Sequence, residues 1–283
     1  MMLVFGKTGQ VATELRALLP NARFLGREQA DLTEPKACFD AILAARPEAV
    51  INAAAYTAVD YAEENEATAD VVNGVAPVQM AKACAELDIP LVHISTDYVF
   101  DGSGVVPFKP GDITAPLCAY GRTKLVGEHG VTEVGGRSAI LRTSWVFSAH
   151  GGNFVKTMLR YGETRDKLTV VADQIGGPTA ACDIAKACVT IARKLKVYPD
   201  KAGIYHFSGA PDVSWADFAR EIFAQTGKKV VVEGIPATSY PTPAARPYNS
   251  RMDCTSFEAA FGIRRPDWKA GLADVLSDLE KTT

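Results

Sequence analysis

This sequence has little that would suit it to a special environment or a large charged partner. Its 30 Lys and Arg residues nearly balance 33 Asp and Glu residues, so there is no basic excess to bind nucleic acid or an anionic membrane. No apolar run reaches the roughly 18 residues of a membrane helix. The N-terminus also lacks the basic region, long apolar stretch and cleavage site of a signal peptide. We therefore expect a cytoplasmic globular protein that has neither nucleic acid nor a membrane as a partner.

Cysteine and histidine are scarce and scattered. The six cysteines, at positions 38, 84, 118, 182, 188 and 254, form no Cys-x-x-Cys pair and none of the zinc spacings. The four histidines form no His-Glu-x-x-His cluster. The pattern argues against a disulfide framework and against a metal centre, and it predicts that the cysteines are small buried or half-buried residues.

The chain does contain a glycine turn close to its start. An apolar run at residues 2–5 breaks at Gly6, and apolar residues at helical spacing follow after Ala12. This pattern predicts a buried strand, a tight turn and a helix. Gly6 would allow the sharp turn, while Gly9 would let a pyrophosphate approach the main-chain N–H groups. A dinucleotide site is therefore expected, although Ala12 replaces the third glycine of the usual spacing and the turn alone does not decide the matter.

Strand and helix patterns alternate through the first half of the chain. Further strands are predicted at 22–25, 49–55, 91–95 and 139–142, and helices at about 35–43, 67–87 and 120–131. Such alternation predicts an α/β fold with a Rossmann-like, doubly wound parallel sheet. Ligands of these sheets bind beyond the carboxyl ends of the strands.

The second half is less regular. Helices are predicted at about 154–161, 184–195, 215–222 and 267–279, and strands at 168–171 and 230–232. Ser214 is expected to cap the helix that follows it and Trp215 to be buried, whereas the proline-rich residues 235–247 fit neither a regular helix nor a central strand. We predict a nucleotide-binding Rossmann domain at 1–147 and a smaller α+β, mainly substrate-binding domain at 148–283, with roughly 178–200 returning to the first.

Polar stretches follow successive predicted strands and should converge. They are 52–56, 95–98 and 120–124. Tyr120 and Lys124 are four residues apart on one helix face. A free tyrosine has a pKa near 10, and a nearby cation lowers that pKa, so Tyr120 is expected to exchange protons with an alcohol oxygen. The Thr96 hydroxyl is placed to hold the same oxygen.

Seven motifs extend in order over nearly the whole chain. They are 6–11 (GKTGQV), 52–60 (NAAAYTAVD), 95–100 (STDYVF), 120–124 (YGRTK), 142–146 (RTSWV), 153–158 (NFVKTM) and 240–247 (YPTPAARP). Together they resemble the extended short-chain dehydrogenase/reductase family, and within it the dTDP-4-dehydrorhamnose reductases. The last three motifs are far more specific than the glycine turn.

The resemblance implies a role for each matching residue. Thr96, Tyr120 and Lys124 would be the catalytic set, with Lys124 also gripping the nicotinamide ribose. The cofactor would be NADP(H), with NAD(H) as an alternative, and would be lined by Gly6, Gly9, Gln10, Val11, Arg27, Asp31, Leu32, Ala54, Ala55, Tyr56, Tyr120 and Lys124. The nucleotide-sugar substrate would face Thr96, Asp97, Trp145, Asn153 and Arg246. The helix residue Asn73 would support the site.

The implied reaction is reduction of the C4 keto group of dTDP-4-dehydro-6-deoxy-L-mannose to give dTDP-L-rhamnose, with Tyr120 protonating the oxygen. Another nucleotide-sugar reductase, or an epimerase or dehydratase of the same fold, is an alternative. Dehydratases of this kind carry an Asp-Glu pair after the threonine, whereas Tyr98 follows Asp97 here. An alternative from another class is a non-catalytic regulatory subunit resembling that of methionine adenosyltransferase, against which the intact catalytic set argues.

Five positions qualify these expectations. Arg27 follows the second predicted strand, where an acidic residue would otherwise hold the ribose hydroxyls, so it predicts a preference for NADPH or tolerance of both cofactors. Trp145 is interpreted as a sugar platform but suits a core equally, and Asp97 suits a loop cap. Glu14 resembles a position in a metal-bridged dimer of some relatives. We interpret it as a solvated glutamate and assign no metal, with a homodimer left open. Ala245 stands where a second arginine often occurs, which weakens the expected diphosphate grip.

Overall fold

The computed structural model describes residues 1–282. The strands are β1 (Met2–Phe5), β2 (Arg23–Leu25), β3 (Ala49–Asn52), β4 (Leu91–Thr96), β5 (Ser138–Thr143), β6 (Val146–Phe147), β7 (Lys167–Val171), β8 (Ile175–Gly176), β9 (Thr179–Ala180), β10 (Gly203–His206), β11 (Val213–Ser214), β12 (Val231–Ile235) and β13 (Asn249–Ser250). The helices are α1 (Gln10–Leu18), α2 (Pro35–Ala45), α3 (Val59–Ala62), α4 (Glu66–Asp70), α5 (Ala76–Glu86), α6 (Ala119–Val134), α7 (Phe154–Tyr161), α8 (Ala181–Val197), α9 (Trp215–Thr226), α10 (Thr255–Phe261) and α11 (Trp268–Thr282).

The largest sheet is parallel and has the strand order β2-β1-β3-β4-β5-β10. β1 pairs with β2 on one side and with β3 on the other, so the strand order reverses beside β1. Every residue of β1 and β3 is buried, as expected for strands covered on both faces. The predicted Rossmann-like sheet is confirmed, and its switch point lies between β1 and β3, the place where such sheets bind ligands.

Helices cover both faces of this sheet. On one face α1 and α8 bury apolar side chains such as Leu15 and Ile184 against the strands. On the other face α2 and α5 do the same with Ile42 and Met80. Thus α8 packs on the first sheet although it lies late in the chain, and β10 extends the edge of that sheet.

A second apolar cluster forms beside the sheet. It combines α7, α9 and α11 with the parallel pair β7 and β12 around Phe218 and Trp268. Ser214 caps α9 as predicted, since its hydroxyl accepts from the main-chain N–H of Asp217 at 3.0 Å. Within residues 1–282, no helix combines the length and apolar character needed to cross a membrane.

Some elements differ from their predictions. The strand expected at 49–55 ends at Asn52, and the helix expected at 67–87 is interrupted by a π turn at Val71–Val75. The expected burial of Trp215 is wrong: this side chain is half-buried and lines a cleft, because α9 turns its first residue toward the open side of the second cluster. The edge strand β10 has no counterpart among the predicted strands.

Candidate active site

The three predicted polar stretches meet at the carboxyl edge of the sheet. β3 and β4 are neighbours, and Asn52, at the end of β3, pairs in register with His93. Thr96 ends β4, and the 3-10 turn Asp97–Val99 follows it. Tyr120 lies in the first turn of α6, which packs against that 3-10 turn. Strand ends and a helix start thus place the sequence-predicted groups together.

Gly121 is what allows α6 to approach so closely. A Cβ atom built on Gly121 would collide with the main-chain carbonyl oxygen of Tyr98. The close approach brings the Tyr98 and Tyr120 rings edge to face, with centroids 5.6 Å apart. Tyr120 as a whole is half-buried, but its hydroxyl group is shielded from solvent.

The direction expected for the Tyr120 pKa is wrong. Burial raises this pKa above its ordinary value, the charge of Asp97 raises it further, and a hydrogen bond with Thr96 opposes the rise. The ammonium group of Lys124 does not counter the burial, because Lys124 Nζ donates to the Ile94 carbonyl at 2.7 Å and lies 3.3 Å from His93 Nε2. Tyr120 is therefore a neutral phenol, the form that donates a proton.

Lys124 is buried, with 1% of its surface exposed. Burial lowers its pKa to about 8, and the carboxylate of Glu128 opposes that shift. Its amine is consequently mostly charged at pH 7, and the charged and neutral forms become equal near pH 8.

Thr96 and Asp97 form a buried polar pair next to Tyr120. The Thr96 hydroxyl donates to Asp97 Oδ1 at 3.1 Å and accepts from the Tyr98 N–H at 3.2 Å. Asp97 Oδ2 finds no hydrogen-bond partner within residues 1–282. Burial raises the Asp97 pKa to about 6. The Thr96 hydroxyl and the Asp97 carboxyl group, which loses its proton near pH 6, are thus held beside the Tyr120 phenol.

The glycine turn fits a dinucleotide phosphate. Gly6 has φ +106°, and a Cβ there would lie 3.2 Å from the Ala53 carbonyl group, so the turn brings the ends of β1 and β3 together only with glycine. Gly9 is the N-cap of α1, and no side chain among the described residues caps that helix start. Its N–H groups are suited to an anion, while Val11 and Ala12 are buried beneath them.

The segment after β3 is fixed by a buried asparagine. Asn73 accepts from the Tyr56 N–H at 2.8 Å, donates to the Tyr56 carbonyl at 3.1 Å and donates to Thr123 Oγ1 at 3.1 Å. Ala54 and Ala55 are half-buried in the same segment. Asn73 thereby joins the proposed cofactor lining to α6 one turn after Tyr120.

The proposed ribose side of the cofactor site follows β2. Arg27 has 85% of its side chain exposed and lies 3.9 Å from the Asp31 carboxylate. Asp31 accepts from the Thr33 N–H at 2.9 Å, which lowers its pKa. Leu32 packs against the core below them. An exposed guanidinium therefore stands at the carboxyl end of β2.

Asn153 has a structural role that its sequence did not show. It caps α7 by accepting from the Lys156 N–H at 3.2 Å. Its amide also donates to Gln10 Oε1 at 2.9 Å and to the Ser148 carbonyl at 2.8 Å. These bonds tie the start of α7 to the glycine turn and occupy the amide that was expected to face the substrate.

Glu14 is less solvated than expected. Its side chain is 22% exposed, and His150 Nε2 lies 3.4 Å from it. Burial raises the Glu14 pKa, and His150 opposes the rise. Across the described part of the chain, no three His, Cys, Asp or Glu side chains are grouped to hold a metal ion.

A cleft of about 920 Å³ opens beside Tyr98. Aromatic side chains that sequence reasoning did not assign to the site line it: Tyr98, Phe154, Tyr161, Trp215, Tyr240 and Tyr248. Trp145 does not line this cleft. It stacks on Trp215 with centroids 3.6 Å apart, so it supports the wall. Tyr98 lies within a recognised motif, but its contact with Tyr120 depends on the fold.

Arg246 lines the cleft and already holds an ion pair. Its guanidinium donates to both carboxylate oxygens of Asp60, at 2.9 and 2.8 Å, and to the Ala244 carbonyl. The neighbouring Ala245 is exposed and lines the cleft as well. Asp60 is the last residue of the motif at 52–60, which starts at the end of β3. The ion pair therefore links the cofactor side to the proline-rich loop.

Comparisons with known proteins show the family to which the chain belongs. The model of a family described as the RmlD substrate binding domain matches residues 1–281. A dTDP-4-dehydrorhamnose reductase of Sinorhizobium fredii is 46% identical over 95% of this chain and 94% of its own. The chain belongs to the dTDP-4-dehydrorhamnose reductase family. An Escherichia coli member is 39% identical over 100% of this chain and 99% of its own.

Solved structures of the family share the architecture. A dTDP-4-dehydrorhamnose reductase from Clostridium acetobutylicum superposes with a TM-score of 0.91 at 35% identity, covering 99% of each chain. One from Bacillus anthracis, in complex with NADP, has a TM-score of 0.91 at 33% identity and covers 98% of each chain. The family resemblance seen in the sequence is thereby confirmed.

Proposed function

We propose that this protein is a dTDP-4-dehydrorhamnose reductase: it uses NADPH to reduce the C4 keto group of dTDP-4-dehydro-6-deoxy-L-mannose and forms dTDP-L-rhamnose. The observation that carries the proposal is the meeting of Thr96, Tyr120 and Lys124 beside a large aromatic cleft, in a chain that belongs to this family. A non-catalytic regulatory subunit would have no need of a buried lysine beside a neutral phenol.

Each side chain has a defined task in the reaction. Tyr120 gives its proton to the C4 oxygen as that oxygen gains negative charge, and the Thr96 hydroxyl holds the same oxygen. Lys124 holds the ribose next to the nicotinamide. The reduced nicotinamide supplies the hydride. Because the raised pKa keeps Tyr120 protonated before turnover, the proton is available when it is needed.

The cofactor side is assigned to the switch point of the sheet. Gly6, Gly9, Gln10 and Val11 would hold the pyrophosphate and Asp31, Leu32, Ala54, Ala55 and Tyr56 the remaining dinucleotide. The exposed Arg27 at the end of β2 supports a preference for NADPH over NADH, because a guanidinium pairs well with a 2′-phosphate. NADH remains a second substrate in this proposal.

The substrate side is assigned to the cleft. Arg246, which lines the cleft, and Thr96 and Asp97, which adjoin the lining residue Tyr98, would contact the nucleotide sugar. Trp145 and Asn153 would support that wall. In this proposal, residues 1–147 and roughly 178–200 form the cofactor-binding domain. The rest of 148–283 mainly binds the substrate. The packing of α8 on the first sheet supports the division. A cytoplasmic location, a homodimer and the lack of a nucleic acid partner are further proposals.

The test is a direct assay. The purified protein is incubated with NADPH or NADH and the 4-keto nucleotide sugar, and loss of the reduced cofactor and the sugar product are followed together. We expect faster oxidation of NADPH and dTDP-L-rhamnose as the product. Cofactor oxidation without that product would favour another reductase of the fold, and no oxidation would favour a regulatory subunit.

A further inference from the structure

A buried chain of hydrogen bonds leads from Lys124 to the segment proposed to line the cofactor. Lys124 Nζ lies 3.3 Å from His93 Nε2, and His93 Nδ1 lies 3.0 Å from the amide nitrogen of Asn52. Asn52 Oδ1 accepts from the Ala54 N–H at 3.2 Å. Asn52, His93 and Lys124 are each at most 1% exposed. Solvent therefore does not supply alternative partners to these three side chains.

The donors and acceptors along this chain fix the histidine tautomer. A main-chain N–H can only donate, so the atom of Asn52 that faces Ala54 is the oxygen and the atom that faces His93 is the NH₂ group. His93 Nδ1 must then accept. A neutral imidazole carries one proton, which leaves that proton on Nε2, aimed at Lys124.

We propose that His93 is a positioning residue for Lys124, held by Asn52 as the Nε2–H tautomer so that it donates to the neutral lysine amine and disfavours the ammonium form. The amine sits between the Ile94 carbonyl, to which it donates, and the His93 N–H, from which it accepts. Protonation uses the lone pair that accepts from His93, so the ammonium form loses that bond and gains one N–H donor, which would be available to the ribose of the cofactor. The charge of Lys124 is thereby linked to the main chain at Ala54.

The other charged groups around Lys124 act in a known direction. Glu128, one turn further along α6, favours the ammonium form, but Arg142 of β5 holds that carboxylate at 2.6 Å and limits its effect. Tyr120, one turn earlier, is neutral. Burial and the charge of Lys124 both lower the pKa of His93, so His93 stays uncharged and keeps a single proton to place.

His206 provides an internal control, because the same reasoning gives it the opposite tautomer. Its Nδ1 lies 3.0 Å from the Phe108 carbonyl oxygen, which can only accept, and its Nε2 lies 3.3 Å from the Arg142 guanidinium, which can only donate. His206 must therefore carry its proton on Nδ1.

The first test is ¹⁵N NMR of histidine-labelled protein without ligands, with His93 and His206 signals assigned through His93→Gln and His206→Gln. We expect an Nε2–H signature for His93 and an Nδ1–H signature for His206. An Nδ1–H or doubly protonated His93 in the parent protein would overturn the proposal.

The second test changes the tautomer. In Asn52→Asp a carboxylate faces His93 Nδ1, so the proton should move to Nδ1 and leave Nε2 to accept from the Lys124 ammonium. We expect the titration midpoint of the Lys124 ¹³Cε signal to rise by about one pH unit or more. Asn65→Asp adds the same charge at an exposed site and should leave both signals in place.

An Asn52→Asp protein with the parent tautomer and midpoint would contradict the linkage. The proposal rests on the proposed function only for the catalytic importance of Lys124. Since both NMR tests use ligand-free protein, a chain that shows these signals yet oxidises no NADPH would refute the reductase and leave the His93 assignment standing.

Discussion

Arg246 shows how a residue can be predicted while its partner is missed. The motif at 240–247 indicated a phosphate-binding arginine, but the two hydrogen bonds to Asp60 join positions far apart in sequence. The fold alone brings them together. The pair fixes the guanidinium plane at the cleft, so a diphosphate would meet an arginine that is already oriented.

Arg246→Gln removes this charge and keeps a polar side chain. We expect dTDP binding to weaken by roughly 10-fold to 100-fold, the usual value of a charge-assisted hydrogen bond, while NADPH binding stays within a few-fold of the parent. Calorimetric titration with each ligand measures both. Arg264→Gln removes an exposed arginine paired with Glu258 and serves as the matched control. Unchanged dTDP affinity in Arg246→Gln would remove Arg246 from the substrate site.

Asp97 gives a prediction about pH. Its pKa rises from 3.8 to about 6 on folding, chiefly through burial. The folded state therefore binds this proton at a higher pH than the unfolded state does. The loss of folding stability caused by the buried carboxylate disappears as the pH falls from about 6 toward 4. Asp97→Asn removes the penalty at pH 7, which should stabilise the protein by up to about 3 kcal/mol, at about 1.4 kcal/mol per pKa unit.

Urea unfolding of Asp97→Asn and the parent at several pH values measures this difference. The gap between them should be largest at pH 7 and should close near pH 4. Asp200→Asn, which changes an exposed carboxylate, should show no such trend. A parent protein that loses stability relative to Asp97→Asn as the pH falls would contradict the assignment.

At the scale of elements, apolar periodicity predicted most strands and helices of the first half because buried strands and amphipathic helices have strong patterns. The β10 strand was missed because its burial depends on partners: His206 is buried against Phe108 and Arg142, and the first residues of the strand are partly exposed. The π turn was missed for a similar reason. Residues 71–75 combine three valines with Asn73 and Gly74, and the hydrogen-bond partners of Asn73, Tyr56 and Thr123, are distant in sequence.

Asn73→Ala tests that turn. It would leave the Tyr56 N–H and carbonyl without their side-chain partner, so we expect a loss of about 2–4 kcal/mol in the free energy of unfolding and weaker NADPH binding. Chemical unfolding and fluorescence titration measure the two effects. Asn65→Ala, in which an exposed asparagine loses one local bond, should change neither by much. If both variants behave alike, Asn73 does not organise the cofactor segment.

At the scale of the whole molecule, the sheet order places the glycine turn at the switch point and the second cluster beside it. The glycine turn, the Tyr120 helix and the parallel sheet were all predictable from sequence. The aromatic lining of the cleft was not, since Tyr98, Trp215 and Tyr248 come from separate elements whose convergence only the fold defines.

We expect the region after about residue 148, including the loop around Arg246, to close when the nucleotide sugar binds, because a closed cleft keeps water from the reaction. Hydrogen exchange with and without dTDP should show new protection in β7, β12 and residues 237–248, and little change in β1 and β3. Equal exchange in both states would indicate a cleft that is rigid from the start.

The central claim is that Tyr120 donates the proton, and Tyr120→Phe tests it most directly because the substitution removes one oxygen and keeps the ring. Steady-state turnover with NADPH and the 4-keto sugar should fall by roughly 10²-fold to 10⁴-fold, the usual value of a positioned acid. NADPH affinity should stay within a few-fold of the parent, since Lys124 and the glycine turn are intact. Turnover near the parent rate would mean that the proton comes from another group and that the assignment of Tyr120 is wrong.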